Sequence, residues 1–247
     1  MLFLTYHVIA ADAAGDFYTV PSSVLTAQLD LVAERKFVAG SMDAVLRGEF
    51  WESSYFATFD DGTSDHLGLV APILEERGLR GVFFVPTEKI GHPGRLTREQ
   101  VSELAERGHE IGCHSHEHRR LDTQSDAGIR EQLAISCRIL TEITGRAPRI
   151  LAPPGGYTSA RVRAIAAEAG IRAMRTMKWG LNRHPVLDDL ATIPLNRSIS
   201  LGRLGKILDG HGLAWLRTVF FAKQVLKSLF PLRLYERLRG AAFQQAR

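Results

Sequence analysis

The sequence predicts an α/β protein built on parallel strands, either a barrel or an open doubly wound sheet. Three observations support this prediction: strand-like and helical segments alternate along the chain, glycines follow the helical segments, and polar clusters follow several strand-like ones. Helices that join parallel strands form right-handed crossovers, and both architectures place functional residues at the carboxyl ends of the strands. We therefore expect a functional site at one edge of the sheet.

Seven segments have the apolar, β-rich composition of buried strands. They span residues 3–9, 55–59, 81–85, 110–113, 149–152, 171–176 and 191–195. The clearest helix between them begins at Thr97, where Gln100 completes a capping box, and ends before Gly108. Other helical patterns end at a glycine in the same way, at Gly78, Gly145 and Gly170.

The composition is that of an ordinary globular protein, because 247 residues with 45% hydrophobic content suffice for one large α/β domain. The two cysteines, Cys113 and Cys137, are too few for a disulfide framework and favour a reducing compartment. Residues 1–9 lack the basic start and cleavage site of a signal peptide, and no apolar run has transmembrane length. We expect a cytoplasmic location.

The positive charge is concentrated at the end of the chain. Residues 201–247 hold nine basic and two acidic residues, a balance of +7, so residues 1–200 carry −3 of the total +4. The main body therefore has no basic surface for nucleic acid, and we expect none as a partner. The tail is predicted to be helical, with an apolar face that packs on the body or contacts an anionic membrane. This face consists of Trp215, Leu216, Val219, Phe220, Leu226, Leu229 and Phe230.

Polar clusters directly follow three of the predicted strands. They are Asp60-Asp61, the run 114–118 and the run 153–157. Each alone is typical of a solvated turn or loop. Parallel strands bring their carboxyl ends to one rim, so their shared position predicts a single site.

A metal site explains the residue types on this rim. Asp61, His114 and His118 would provide the three-ligand shell of a catalytic zinc ion, which leaves a position open for water. Asp60 points differently from its neighbour and would be free to act as general base.

Two motifs on this rim resemble those of a known family. Residues 58–62 resemble the first motif of the polysaccharide deacetylases of the NodB-homology type, carbohydrate esterase family 4, and residues 112–121 resemble the second. The resemblance covers roughly residues 1–200 and implies a distorted (β/α) barrel, here of about seven parallel strands and followed by the helical tail. It also implies metal-dependent removal of an N-acetyl group from a sugar. Asp60 would be the base on a metal-bound water, and zinc the expected ion.

The third motif departs from the family pattern. Many members have an Arg before the two prolines, where this chain has Ala152, and an aromatic residue after them, where it has Gly155. Gly155 is the first residue there with an N–H, so it is the expected oxyanion donor. Four residues are candidates for the general acid and for the replacement of the missing Arg: His184, His211, Arg175 and Arg197. Substrate-pocket positions are assigned to His7, Tyr157, Trp179 and Arg197.

The sequence thus predicts a divalent-metal hydrolase that deacetylates an N-acetylated saccharide, either a polysaccharide or a glycolipid-linked sugar. Peripheral membrane contact through the tail would suit a membrane-bound substrate. Two alternatives remain open. The same scaffold could act on a non-sugar amide or an O-acetyl ester, or the chain could be a non-catalytic glycan-binding or assembly module.

Overall fold

The computed structural model describes residues 1–12, 15–212 and 218, and ten strands and seven α-helices lie within these residues. The strands are β1 (Leu2–Tyr6), β2 (Val8–Ala10), β3 (Thr19–Pro21), β4 (Val38–Ala39), β5 (Ser54–Phe59), β6 (Val82–Val85), β7 (Glu110–Cys113), β8 (Ile150–Leu151), β9 (Ala173–Trp179) and β10 (Leu190–Pro194). The helices are α1 (Ser22–Glu34), α2 (Met42–Leu46), α3 (Ala71–Glu75), α4 (Arg98–Glu106), α5 (Asp126–Thr144), α6 (Ala160–Glu168) and α7 (Leu201–Leu208).

Seven of these strands form a closed parallel barrel in the order β1-β10-β9-β8-β7-β6-β5. The ring closes where β1 pairs with β5, with Leu2 opposite Tyr55 and Tyr6 opposite Phe59. Strand β4 pairs with the start of β5, at Ser54 and Tyr55, and β2 and β3 form a separate two-stranded sheet. The predicted (β/α) barrel of about seven strands is confirmed, and the open-sheet alternative is wrong.

Strand residues alternate between the barrel interior and the helix-covered exterior. Phe3, Phe56 and Phe84 fill the interior, which α2 closes at the amino-terminal end of the strands. Gly112 permits this packing, because a Cβ at that position would lie 2.5 Å from the Phe84 ring. The interior core therefore requires a glycine two residues before His114.

A layer of three threonine hydroxyls lies inside the barrel between the aromatic core and the rim. Thr5 Oγ1 is 2.9 Å from Thr58 Oγ1 and 2.7 Å from Thr192 Oγ1. Thr58 and Thr192 also donate to main-chain carbonyls of β1. All three are fully buried, so their hydrogen bonds offset the cost of removing hydroxyls from water.

Most element boundaries agree with the sequence prediction. Thr97 and Gln100 form the predicted capping box of α4. The four predicted helix-ending glycines adopt left-handed φ angles between 65° and 85°. The predicted strand 3–9 divides at His7, because β1 stays in the barrel while β2 leaves it to pair with β3.

The tail prediction falls largely outside the described residues. Helix α7 is described, whereas the predicted apolar face beginning at Trp215 is not. Within the described ranges, no helix combines the length and apolar character needed to cross a bilayer. Cys113 and Cys137 are both free thiols.

Candidate active site

Asp60 and Asp61 follow β5, and their side chains diverge because the backbone changes from an extended to a left-handed conformation between them. Asp60 continues the strand, and its N–H donates to the Tyr6 carbonyl at 3.0 Å. Asp61 has φ 74°, an uncommon left-handed conformation for a residue other than glycine. Arg95 Nη1 donates to the Asp61 carbonyl oxygen at 2.7 Å and holds this turn. The two adjacent carboxylates are therefore available for different roles.

The two histidines follow β7 in a turn that is also left-handed at two positions, Ser115 (φ 62°) and His118 (φ 61°). The His118 N–H donates to Ser115 Oγ at 3.2 Å, which closes the turn. Three of the four non-glycine residues with positive φ among the described residues thus surround this site. Backbone strain of this kind commonly concentrates at functional sites.

Asp61, His114 and His118 converge on one point. Asp61 Oδ1 lies 3.4 Å from His114 Nε2 and 3.0 Å from His118 Nε2, and the two Nε2 atoms are 3.2 Å apart. One carboxylate oxygen and two imidazole nitrogens are a donor set typical of catalytic zinc. The structure therefore brings together all three predicted metal ligands.

The orientation of His114 fits metal binding. Its Nδ1 donates to the Ala152 carbonyl at 2.6 Å, so the Nε2 of the neutral ring presents its lone pair toward Asp61 and His118. A backbone carbonyl on the second ring nitrogen is the usual partner of a metal-ligating histidine. Ala152, at the position where the family often has Arg, thus orients His114 through its main-chain carbonyl.

Arg175 on β9 is the charge partner of Asp60. Its Nη2 donates to Asp60 Oδ2 at 2.6 Å and also contacts Oδ1. Both side chains are buried, and the guanidinium carbon lies 5.0 Å from the centroid of the Phe84 ring. Burial raises the pKa of Asp60, but Arg175, His114 and His7 outweigh it and hold this pKa below the ordinary value. Asp60 is therefore ionised at neutral pH.

Of the four residues considered for the missing Arg and the general acid, only Arg175 contacts the carboxylates. Arg197 is exposed beyond β10, where its N–H donates to the Phe17 carbonyl at 3.3 Å. His184 and His211 are exposed near the amino-terminal end of the barrel, on the side opposite Asp60. Arg175 was one of the two arginine candidates from the sequence, but nothing in the sequence favoured it over Arg197.

The Pro-Pro-Gly-Gly run forms a tight turn after β8. Gly155 and Gly156 have φ angles of 69° and 73°, and the Gly156 N–H donates to the Pro153 carbonyl at 2.8 Å. Among the described residues none accepts a hydrogen bond from Gly155, which is exposed on the rim. A Cβ on Gly156 would lie 2.3 Å from Met177 Cβ, so the turn packs closely on β9.

The predicted pocket residues occupy different surroundings. The half-buried ring of His7 lies 4.9 Å from that of Tyr18, and its buried Nδ1 has no partner among the described residues. Burial lowers the pKa of His7, whereas the nearby Asp60 and Asp61 oppose this. Tyr157 is covered by the Arg120 guanidinium, 3.6 Å from its ring centroid. Trp179, at the end of β9, packs against the exterior core between strands and helices.

Comparison with known sequences yields a family match. A sequence model described as polysaccharide deacetylase matches residues 48–174, just over half of the chain. Chitin deacetylase 1 of Cryptococcus neoformans var. grubii is 31% identical over 115 residues, which cover 46% of this chain and 23% of the relative. The peptidoglycan-N-acetylglucosamine deacetylase PgdA of Listeria monocytogenes is 32% identical over 107 residues, 42% of this chain and 22% of the relative. The chain thus spans less than a quarter of the length of either relative.

Solved structures share the fold at low identity. The Streptococcus pyogenes deacetylase PplD, in complex with acetate, superposes with a TM-score of 0.73 and 21% identity over 83% of this chain and 96% of that chain. IcaB from Ammonifex degensii has a TM-score of 0.75 and 19% identity over 84% and 96% of the two chains. These similarities establish the barrel architecture.

Proposed function

Because this chain belongs to the polysaccharide deacetylase family, we propose that it hydrolyses the N-acetyl group of an N-acetylated saccharide in a metal-dependent reaction. The observation that carries the proposal is the convergence of Asp61, His114 and His118 beside the buried carboxylate of Asp60. A site that only bound glycans would not need an ionised base next to a metal-ligand set.

Asp61, His114 and His118 would hold a divalent cation, with zinc favoured by the two imidazoles and one carboxylate. When bound, such a cation supplies Lewis-acid activation of water and of the acyl oxygen. Asp60 would accept the proton of the attacking water at its carboxylate. Arg175 would keep that carboxylate ionised and fix its orientation from the barrel interior.

Two further groups would complete the reaction. The N–H of Gly155 would donate to the oxygen that becomes negatively charged, because the preceding prolines have no N–H to offer. His7 would donate a proton to the leaving amine, since its ring lies near Asp60 and Asp61 and its Nδ1 has no other partner among the described residues. If His7 is the acid, activity should fall as the pH rises through the lowered pKa of His7, and His7→Gln should remove this fall. An unchanged alkaline limb would exclude His7 from this role.

Acetate release from a panel of substrates tests the proposal. The panel contains N-acetylated oligosaccharides, an O-acetylated saccharide and an N-acetylated amine without a sugar, each with zinc and with excess chelator. We expect acetate and a free amine from the N-acetylated oligosaccharides, and loss of activity with chelator. Acetate with a free hydroxyl would indicate an esterase, and activity on the sugar-free amine alone would indicate an amidase. No release from any member would favour the non-catalytic glycan-binding alternative. A cytoplasmic location stays a prediction, for which cell fractionation is the test.

A further inference from the structure

The face of the barrel opposite the candidate active site exposes a group of apolar side chains, which we call the basal patch: Val38, Phe50, Trp51 and Val186. Their exposed fractions are 46%, 38%, 70% and 59%. Six large hydrophobic side chains are exposed among the described residues, so this one face holds most of them. Exposed apolar groups that cluster on one face commonly mark a contact surface.

Hydrogen bonds bring the loops of the basal patch together. Val38 pairs with Ser54 at the start of β5, and the Ser54 N–H donates to the Trp51 carbonyl at 2.9 Å. These contacts place Val38 and Trp51 side by side at the amino-terminal end of β5.

The chain amino group connects this loop to the one that bears Val186. The Met1 ammonium donates to the Glu52 carbonyl at 2.8 Å and to the Asn182 carbonyl at 3.1 Å. Val186 itself precedes β10, and its carbonyl accepts the Asp189 N–H at 2.9 Å. The basal patch therefore extends across the starts of β5, β1 and β10, which are neighbours in the barrel, and of β4, which pairs with β5.

The last helix of the described residues, α7, ends beside the same face. Asp209, just after α7, pairs with Arg35 at 3.3 Å, and Arg35 lies three residues before Val38. Gly210 lines a cavity of about 420 Å³ together with Val186 and Leu181. Residues 213–247 thus begin within reach of the basal patch.

The composition of that following segment complements the patch. The apolar positions at helical spacing begin with Trp215, Leu216, Val219 and Phe220. Residues 213–247 also contain seven basic residues and one acidic residue. Exposed carboxylates flank the patch at Glu52, Asp188 and Glu49, the last of which pairs with Arg47 at 2.8 Å. Apolar groups and opposite charges would therefore meet in one interface.

We propose that residues 213–230 dock on the basal patch, with their apolar side chains on Trp51 and its neighbours and their basic side chains against the flanking carboxylates. A segment tethered next to its site has an effective concentration on the order of millimolar. This favours the intramolecular partner over a lipid surface. Docking on this face leaves the opposite rim, with Asp60 and Asp61, accessible to a polymeric substrate.

Cross-linking in the full-length protein tests the proposal. A zero-length carbodiimide reagent joins lysine amines to carboxylates in contact, and peptide mass spectrometry identifies the pairs. We expect Lys223 and Lys227 to be joined to Glu49, Glu52 or Asp188. Links to acidic residues of the active-site rim, or no links to the body, would overturn the proposal. Loss of the expected links when phosphatidylglycerol vesicles co-sediment with the protein would assign the segment to lipid and also overturn it.

Tryptic cleavage at Arg217 and Lys223 provides a second test. Trp51→Ser should accelerate this cleavage several-fold because it removes the most exposed apolar contact of the patch. Leu201→Ser is the matched control, since Leu201 is also exposed but lies at the far end of α7. Both side chains are exposed, so circular dichroism should show an unchanged fold. Equal cleavage rates in the two variants would contradict docking.

Discussion

Arg175 and Asp60 form an ion pair inside the barrel, in which one guanidinium nitrogen donates to both carboxylate oxygens. The pair joins β9 to the end of β5 and is shielded from solvent at both partners. It supplies, from another strand, the positive charge that is absent at Ala152.

Replacing Arg175 with Met should raise the pKa of Asp60, because burial would then act without the opposing guanidinium. A base works only when ionised, so the acid limb of the pH–activity profile should move to higher pH. Arg175→Lys is the control that keeps a positive charge and should shift this limb less. A profile unchanged in Arg175→Met would contradict the role of Arg175.

The same pair should make stability depend on pH. Because the folded-state pKa of Asp60 is lowered, its contribution is complete above the unfolded value of about 3.9 and is lost as the pH falls through the folded value. At neutral pH, Arg175→Met leaves a buried carboxylate alone, which typically costs about 3–5 kcal/mol. Urea unfolding at pH 7 measures this loss. A cost below about 1 kcal/mol would mean that water replaces the guanidinium.

Asp60→Asn should keep the metal but lose at least about 10²-fold in kcat, because the amide cannot accept the proton. Elemental analysis compares the metal content of Asp60→Asn with that of the wild-type protein, and we expect the two to be equal. Retention of full activity would exclude Asp60 as the base.

His114→Ala should abolish metal binding because it removes one of three converging ligand atoms. His116→Ala is the matched control, since His116 Nδ1 bonds Thr87 Oγ1 at 2.9 Å and does not belong to the ligand set. Metal content after dialysis distinguishes them. Equal occupancy in both variants would show that the ligand set is wrong.

Arg95→Gln should weaken metal binding about 10- to 100-fold, as expected for a residue that holds a ligand in place. Arg95 fixes the Asp61 carbonyl, whereas Arg98 lies exposed on α4 and serves as the control through Arg98→Gln. Competition with a chromophoric chelator measures the metal affinity of each variant. Equal affinities would limit Arg95 to a structural role.

Gly156→Ala should destabilise the fold by about 1–3 kcal/mol through overpacking, in addition to about 1–2 kcal/mol for the left-handed backbone. Gly145 has φ 70° but open space around its Cβ position, so Gly145→Ala measures the backbone cost alone. Urea unfolding of both variants isolates the steric difference. Equal losses would mean that Met177 moves aside without cost.

The order of elements predicted a parallel α/β architecture with one functional rim, and the resemblance to the family selected the barrel over the open sheet. Parallel strands joined by helices bring their carboxyl ends together, so Asp61, His114 and His118 could be placed on one rim without coordinates. Residues 48–174, which match the family model, contain all three.

The contacts and backbone conformations that hold these residues in place could not be predicted in the same way. Whether Arg175 reaches Asp60 depends on which residues of β9 face the interior, and therefore on the register of this strand. The left-handed residues Asp61, Ser115 and His118 are not glycines, so the residue types at these positions did not reveal the turns. Arg95 acts through a backbone carbonyl, a contact for which sequence spacing gives no signal.

The buried hydroxyls of Thr5, Thr58 and Thr192 fix the register of β1, β5 and β10 between the aromatic core and the rim. His7 and Asp60 each lie two residues beyond a threonine of this layer, on the same side of their strands. A slip of one residue in β1 or β5 would turn the threonine outward and leave its partners unsatisfied, at about 1–3 kcal/mol for each group. The layer thus holds His7 and Asp60, the proposed proton donor and base, at the same level of the barrel.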